Sequence, residues 1–214
     1  MAEKKSVRCI IIAGSPVCDY EFIKSYIKDD DFIICADKGC ECAEKLNIIP
    51  DLIVGDFDSF SGVLPDTQII KLNTHKDDTD TEHCAKEAVL RGFKNVVILN
   101  ATGARQDHTF ANFCVLKYLN DNNVDCKIVD RYETIIVKST GVYRFKGLND
   151  VTFSVFPFGC SESKVSYIGE CEYSGENITL NSSSAKGISN IFRSDNVTIE
   201  VLSGNILLFI EKTI

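Results

Sequence analysis

The 214-residue sequence predicts an α/β domain over residues 1–130, followed by an all-β domain over residues 131–214. In the first part, continuous apolar segments alternate with segments whose apolar residues recur at helical spacing. That pattern is typical of a wound, Rossmann-like parallel sheet with helices on both faces. After about residue 132, short β-like segments alternate with turn residues, which favours a β-sandwich, with a barrel as the alternative.

The elements of the first domain follow from these periods. Strands are expected at about 7–13, 32–36, 51–54, 95–100 and 125–130, and helices at about 19–28, 38–46, 80–91 and 107–120. The third helix has clear boundaries, because Thr79 to Glu82 match a capping box and Gly92 follows the last periodic residue. Asp107 is expected to cap the fourth helix.

The second domain has a repeated pattern of strand and turn. Its strands are expected at about 134–138, 142–145, 151–156, 164–167, 177–180, 197–202 and 206–210. This half contains no His and only scattered acids. The sequence therefore favours a binding or dimerising role for it.

Composition limits the partners of the chain. The net charge of −8 and pI near 4.9 argue against a nucleic-acid or anionic-membrane surface, since both need concentrated Lys and Arg. No apolar run reaches the roughly 18 residues that span a bilayer, so a cytoplasmic location and a small-molecule partner are expected. The ten cysteines form no Cys-x-x-Cys pair. They are expected to be reduced, buried thiols, as at Cys9, Cys35, Cys84 and Cys114.

Acidic residues concentrate in residues 51–87, which hold nine Asp or Glu against three Lys. Carboxylates at this density repel one another unless a cation lies between them, and Mg²⁺ carrying a phosphate is the simplest candidate. Asp56 and Asp58 follow a strand, and in extended backbone both point to one side with Phe57 on the other. The alternative is that they cap a turn.

A second acidic run, Asp77-Asp78-Thr79-Asp80, opens the third helix. An acidic first turn is stabilised by the helix dipole, by roughly 0.3–1 kcal/mol per residue. Three acids in four residues exceed what capping requires, so Asp80 is expected to bind a metal or substrate.

A third cluster follows the strand near residue 100. Gly103 permits a tight turn, and Arg105 can bind phosphate oxygens bidentately. Arg105 can equally form a structural salt bridge with Asp107. His108 is interpreted as a ligand contact rather than a general base.

These clusters, in this order, closely resemble the thiamine pyrophosphokinase family. The resemblance rests on Ala36-Asp37-Lys38-Gly39, Pro50–Ser59, Asp77–Asp80, Gly103–His108 with Asn112, and, in the β half, Ser154–Gly159 and Gly187–Asn190. Lys38 departs from the family, where a glycine stands. It either adds a phosphate contact or shows that a positive φ is not needed there.

The resemblance implies that a diphosphoryl group is transferred from ATP to the hydroxyl of thiamine, giving thiamine diphosphate and AMP. It implies Mg²⁺ on Asp56, Asp58 and Asp80, with Asp107 as a further catalytic residue. ATP would be bound by Asp37, Lys38, Gly39, Asp78, Thr79, Arg105, His108 and Asn112. Thiamine would be bound by Asp80, Asp107, Tyr173, Ser189 and Asn190.

The family resemblance also implies a homodimer with composite active sites. Some family members stack thiamine on a Trp, which this chain lacks, and Tyr173 is the substitute that its position suggests. Three other functions remain open: a Mg²⁺-dependent phosphohydrolase of nucleotides, a nucleotide or thiamine sensor without turnover, and a structural or interaction protein whose acidic patch is solvated surface.

Overall fold

The computed structural model describes residues 7–57, 65–73 and 78–212. The chain forms two compact units, Met1–Arg131 and Tyr132–Ile214. The fold is mixed α/β, with a parallel-rich sheet in the first unit and antiparallel pairing in the second. The predicted fold class is confirmed at this level.

Strands and helices alternate along most of the first unit. In chain order they are β1 (Cys9–Ile12), α1 (Tyr20–Tyr26), β2 (Phe32–Ala36), α2 (Gly39–Lys45), β3 (Leu52–Gly55), β4 (Gln68–Lys71), α3 (Asp80–Leu90), β5 (Asn95–Leu99), α4 (Gln106–Asp121) and β6 (Asp125–Val129). The central strands are apolar and fully buried. The sequence missed β4 because three of its four residues are exposed and no burial pattern marks it.

The parallel strands of this unit run in the order β6-β5-β1-β2-β3-β4. Successive strands therefore proceed in one direction from β1 to β4, and β5 then pairs with the other side of β1. The loops that follow β1 and β5 diverge at this reversal. In open α/β sheets such a reversal is where ligands bind, beyond the carboxyl ends of the strands.

Apolar side chains hold the helices of the first unit against its sheet. Ile10 and Ile12 of β1 pack with Ile53 of β3, Val97 of β5 and Ala43 of α2 in one buried cluster. All ten cysteines are free thiols. Cys114 lies exposed on α4, so its predicted burial was wrong.

The second unit consists of strands. They are β7 (Glu133–Lys138), β8 (Gly141–Lys146), β9 (Thr152–Pro157), β10 (Glu162–Ile168), β11 (Gly175–Asn181), β12 (Asn190–Ile191), β13 (Asn196–Ser203) and β14 (Ile206–Glu211). They pair antiparallel in the orders β12-β9-β14-β7 and β11-β10-β13-β8. The stacked rings of Phe153 and Phe192, with centroids 4.1 Å apart, lie in its core.

Among the residues that the structure describes, no helix has the length and apolar character needed to cross a membrane.

Candidate active site

A pocket of about 330 Å³ lies in the first unit at the carboxyl ends of the parallel strands. The loops after β1, β2 and β5 form its walls together with the first turns of α3 and α4. Its lining residues are Gly14, Ser15, Pro16, Ala36, Asp37, Lys38, Thr79, Asp80, Thr81, Ala101, Gly103, Arg105, His108, Thr109, Ala111 and Asn112. Of the residues predicted for the site, Asp37, Lys38, Thr79, Asp80, Arg105, His108 and Asn112 are in this lining.

The loop after β2 is set by close packing of α2 against β1. Gly39 begins α2, and a Cβ there would lie 2.1 Å from the carbonyl oxygen of Ile12. The chain reverses at Asp37, which takes a φ of 41°, whereas Lys38 has an ordinary φ of −58°. The family glycine that Lys38 replaces is therefore not needed for backbone freedom, and the Lys38 side chain is exposed at the pocket.

Asp37 is a half-buried carboxylate of the pocket with a raised pKa. Burial raises its pKa, and the nearby carboxylates of Asp80 and Asp56 raise it further, against a hydrogen bond from the backbone N–H of Lys38. Its Oδ1 is buried and has no hydrogen-bond partner among the described residues. Three carboxylates therefore share one region of negative potential.

Asp56 follows β3 and is half-buried beside this region, but it does not line the pocket. The loops after β2 and β3 touch, since a Cβ on Gly55 would lie 3.1 Å from the Cα of Asp37. Phe57 has a φ of 61°, so the predicted extended backbone is wrong there. The Phe57 ring packs against the apolar core. The predicted ligand Asp58 lies outside the described residues, as does Asp77.

The start of α3 separates two predicted acids. Thr79 is the N-cap, and its hydroxyl accepts from the backbone N–H of Glu82, as the sequence predicted. Asp80 lies on the pocket side. Asp78 lies outside the lining and forms an ion pair with Lys86, which is the main cause of its lowered pKa; His83 Nε2 is 3.0 Å from its Oδ1.

The loop after β5 carries Arg105 to the pocket. The sequence left two roles open for Arg105, phosphate binding and a salt bridge with Asp107. In the structure Arg105 lines the pocket and also donates two hydrogen bonds to Asp107. That pairing lowers the pKa of Asp107 to about 2. The predicted cap at Asp107 is wrong, because α4 begins at Gln106 with Arg105 at the N-cap and no side-chain cap bond.

The first turns of α4 supply the remaining predicted side chains. His108 is exposed at the pocket. Asn112 is buried, and its Nδ2 donates to the carbonyl oxygen of Ala101 at 2.8 Å. Asn112 therefore holds the loop after β5 through this hydrogen bond.

The residues present are chemically suited to Mg²⁺, although the described residues contain no group of three or more His, Cys, Asp or Glu arranged to hold a metal. Among the described residues the buried Oδ1 of Asp37 has no hydrogen-bond partner, and burial together with the carboxylates of Asp80 and Asp56 raises the pKa of Asp37. A hard cation satisfies a buried carboxylate oxygen and removes this repulsion. The carboxylate set is therefore compatible with a divalent cation.

Sequence reasoning missed one wall of the pocket, the segment Gly14-Ser15-Pro16 after β1. The Ser15 hydroxyl donates to the carbonyl oxygen of Thr102 at 2.7 Å, which joins this wall to the loop after β5. A Gly-Ser-Pro sequence directly after the first apolar strand was the available signal. It was missed because the segment carries no charge.

The predicted thiamine residues of the second unit are connected to one another. Asn190 is buried, its Oδ1 accepts from the backbone N–H of Tyr173 at 2.9 Å, and its Nδ2 donates to the Tyr173 carbonyl oxygen at 2.9 Å. Tyr173 itself is 65% exposed. Ser189 is exposed, with a φ of 54°. The Asn190 amide thus holds the backbone that presents the Tyr173 ring.

A pocket at the reversal point of a parallel sheet, with carboxylates beside Lys and Arg, is typical of enzymes that transfer phosphoryl groups. The family model described as thiamin pyrophosphokinase, catalytic domain, matches residues 23–128, which contain α2, α3 and most of the pocket. The chain therefore belongs to the thiamine pyrophosphokinase family of enzymes, whose general activity is thiamine diphosphate synthesis.

Solved structures show the same fold. The thiamine pyrophosphokinase of Bacillus subtilis is 22% identical, with a TM-score of 0.83 over 97% of this chain and 100% of that one. The Geobacillus thermodenitrificans thiamin pyrophosphokinase is 23% identical, with a TM-score of 0.83 over 96% and 98%. The enzyme of Candida albicans is 18% identical, with a TM-score of 0.76 over 98% and 90%. A comparison with curated protein sequences gave no match.

Proposed function

We propose that this chain transfers a diphosphoryl group from ATP to the hydroxyl of thiamine, giving thiamine diphosphate and AMP, with Mg²⁺ as cofactor. The observation that carries the proposal is one pocket that joins Asp37, Asp80, Lys38 and Arg105. Both signs of charge that a metal–triphosphate complex needs are then within a single cavity. We further propose that the first unit is a Rossmann-like nucleotide-binding domain and the second a β-sandwich.

The charges of the pocket explain the need for a cation. Its lining carries two carboxylates, Asp37 and Asp80, and two fixed cations, Lys38 and Arg105. Two cations that face two carboxylates leave little net positive charge for a triphosphate. When bound, Mg²⁺ would supply the missing charge and polarise the phosphoryl oxygens, with Asp56, Asp58 and Asp80 as its proposed ligands and Asp37 beside them.

Arg105 and Lys38 would bind the phosphate oxygens from two walls of the pocket. Arg105 forms two hydrogen bonds with Asp107 in the unliganded chain, and both side chains are exposed, so a phosphate can replace the carboxylate without opening a buried pair. The planar guanidinium then donates two hydrogen bonds to phosphate oxygens in the same bidentate geometry. Gly39, Thr79, His108 and Asn112 would shape the ATP site. A role for Asp78 has less support, because it lies outside the lining.

Catalysis in this site would rest on positioning. The attack by a hydroxyl oxygen on the β-phosphorus, with AMP leaving in line, depends mainly on orientation and charge neutralisation. Asp80 is the better candidate to orient that hydroxyl. Asp107 would bind at the thiamine end; as long as it is paired with Arg105, its lowered pKa makes it a weak proton acceptor.

Thiamine would complete the site through a homodimer. We propose that the exposed Tyr173 ring stacks on thiamine in place of the family Trp, with Ser189 beside it. The two hydrogen bonds between Asn190 and the Tyr173 backbone support this role, since they hold the backbone that carries the ring. The composite site would require each protomer to supply these residues to its partner. The expected cytoplasmic location stays a prediction.

The test is nucleotide analysis after incubation of the pure protein with ATP and Mg²⁺, with and without thiamine. Asp56→Asn and Asp80→Asn are expected to lower turnover by at least about 100-fold. The matched control is Asp121→Asn, which removes an exposed carboxylate at the far end of α4. That variant is expected to stay within about twofold of the wild type.

The products distinguish the alternatives. Thiamine-dependent AMP together with thiamine diphosphate would establish the proposed reaction. ADP or phosphate released regardless of thiamine would overturn it in favour of a hydrolase. Binding of ATP without any product would overturn it in favour of a sensor.

A further inference from the structure

Asn100 holds together the two loops that diverge at the reversal point of the sheet. It follows β5 directly, and its Nδ2 donates to the carbonyl oxygens of Ala13 at 2.8 Å and Ser15 at 3.0 Å. The backbone adds two bonds to the same segment, from Ala13 N–H to the Leu99 carbonyl and from Ser15 N–H to the Asn100 carbonyl. Four hydrogen bonds thus join the end of β5 to the segment that contains Gly14.

The orientation of the Asn100 amide follows from its partners. Backbone carbonyls only accept hydrogen bonds, so the amide nitrogen must face Ala13 and Ser15. The opposite atom, Oδ1, is buried and has no donor among the described residues. The side chain therefore donates twice to one wall of the pocket, while its buried oxygen has no donor in the part of the chain that the structure describes.

The backbone at this position also favours Asn. Asn100 has a φ of 55°, a left-handed conformation that Asn tolerates better than other residues with a Cβ except Asp and His. Glycine would adopt the turn but would lose both side-chain bonds. Aspartate would keep the turn and the shape but would place a carboxylate against two carbonyl oxygens.

We propose that Asn100 is a positioning residue of the active site: its amide fixes the Ala13–Ser15 segment, and so the Gly14–Pro16 wall of the pocket that binds the nucleotide. The binding of the nucleotide in this pocket rests on the proposed function. The inference about the segment does not, because it depends only on the two bonds from Nδ2. Asn100 does not itself line the pocket, so it acts through the wall that it holds.

Two variants test the amide. Asn100→Gly removes both bonds and retains the turn, and Asn100→Asp replaces the donor by an acceptor in the same shape. In the unliganded protein, hydrogen exchange of the Ala13 and Ser15 amides is expected to accelerate about tenfold in both variants, and more for Asp. In the complete assay, kcat/KM for ATP is expected to fall about 10- to 100-fold through KM, with the KM for thiamine nearly unchanged.

The matched control is Asn123→Gly. Asn123 also has a left-handed backbone, with a φ of 57°, but it lies after α4 at the opposite end from the pocket. It reports the effect of glycine flexibility alone, and wild-type exchange at Ala13 and Ser15 is expected.

Three outcomes decide the proposal. Wild-type exchange at Ala13 and Ser15 in both Asn100 variants would overturn the claim that the amide fixes this segment. Faster exchange with unchanged kcat/KM for ATP would overturn the positioning role. A wild-type protein that makes no thiamine diphosphate would instead refute the proposed function, while the exchange data would still decide whether Asn100 holds the wall.

Discussion

Replacement of Gly39 by Ala tests whether close helix–strand packing builds the pocket. Gly39 is the first residue of α2 and directly follows Asp37 and Lys38. Its added Cβ would lie 2.1 Å from the Ile12 carbonyl oxygen and 2.9 Å from the carbonyl carbon. Both atoms belong to the backbone of the central strand, so α2 must move away by about 1 Å to restore contact distance.

Two opposing effects determine how much Gly39→Ala changes the free energy of unfolding. Overpacking of this kind costs typically 1–3 kcal/mol, and the upper value of about 3 kcal/mol applies because no flexible side chain can yield. Alanine gains at most about 1 kcal/mol over glycine from helix propensity. The steric effect is therefore larger, and Gly39→Ala is expected to lower the free energy of unfolding by about 2 kcal/mol.

The assay is equilibrium unfolding in urea, with the slope m compared between variants to confirm that only stability changed. The control is Gly14→Ala, whose Cβ would lie 3.3 Å from the Cβ of Lys38 and 3.7 Å from the nearest backbone atoms, the Ala36 carbonyl oxygen and the Lys38 nitrogen. It is expected to stay within about 0.5 kcal/mol of the wild type. Equal stability of Gly39→Ala and wild type, or an equal loss at Gly14, would refute the packing argument.

Three further predictions concern charge and thiols. Asp31 is 1% exposed and bonded to Arg8 at 2.7 and 2.6 Å, so Asp31→Asn is expected to cost about 3 kcal/mol in urea unfolding at pH 7. Burial opposes ionisation of Asp31, but its hydrogen bonds outweigh burial and lower its pKa. The difference in free energy of unfolding between Asp31→Asn and wild type should therefore persist above about pH 4 and shrink as pH falls through the folded-state pKa of Asp31. Arg105→Lys is expected to reduce kcat/KM for ATP about tenfold because Lys loses bidentate binding, and an unchanged value would contradict its phosphate role. Cys18 Sγ and Cys42 Sγ are 2.9 Å apart. On treatment with hydrogen peroxide, which accepts the two electrons and two protons released, the first disulfide is therefore expected between Cys18 and Cys42. Peptide mapping without reductant that finds another disulfide first would contradict this.

Continuous apolar segments made the central strands predictable, because a strand buried on both faces needs them along its whole length. The same reasoning could not find β4, whose exposed residues give no pattern. It also placed polar clusters correctly after β2 and β5, since the ends of parallel strands converge. It missed the Gly14–Pro16 wall because that segment contributes shape and backbone rather than charge.

Side chains whose roles depend on a distant partner were beyond the sequence. The predicted thiamine contact of Asn190 stays a prediction, but the sequence could not show that its amide is also bonded to the backbone of Tyr173, 17 residues away. Asn100 gave no signal, since Asn after a strand is an ordinary turn residue. Its partners lie more than 80 residues earlier in the chain. Such pairs follow from strand order, which local patterns do not specify.

The acidic residues at the start of α3 are neighbours in the sequence but lie in different environments in the structure. Asp78 and Asp80 are two residues apart and chemically identical, but only Asp80 lines the pocket. Lys86, two turns further along α3, forms ion pairs with both Asp78 and Glu82. The negative charge of these two carboxylates is therefore compensated outside the pocket. The helix thus neutralises one carboxylate on its flank and leaves another beside Asp37. Since like charges close together raise the cost of ionisation, this separation limits the repulsion that a cation must offset in the pocket.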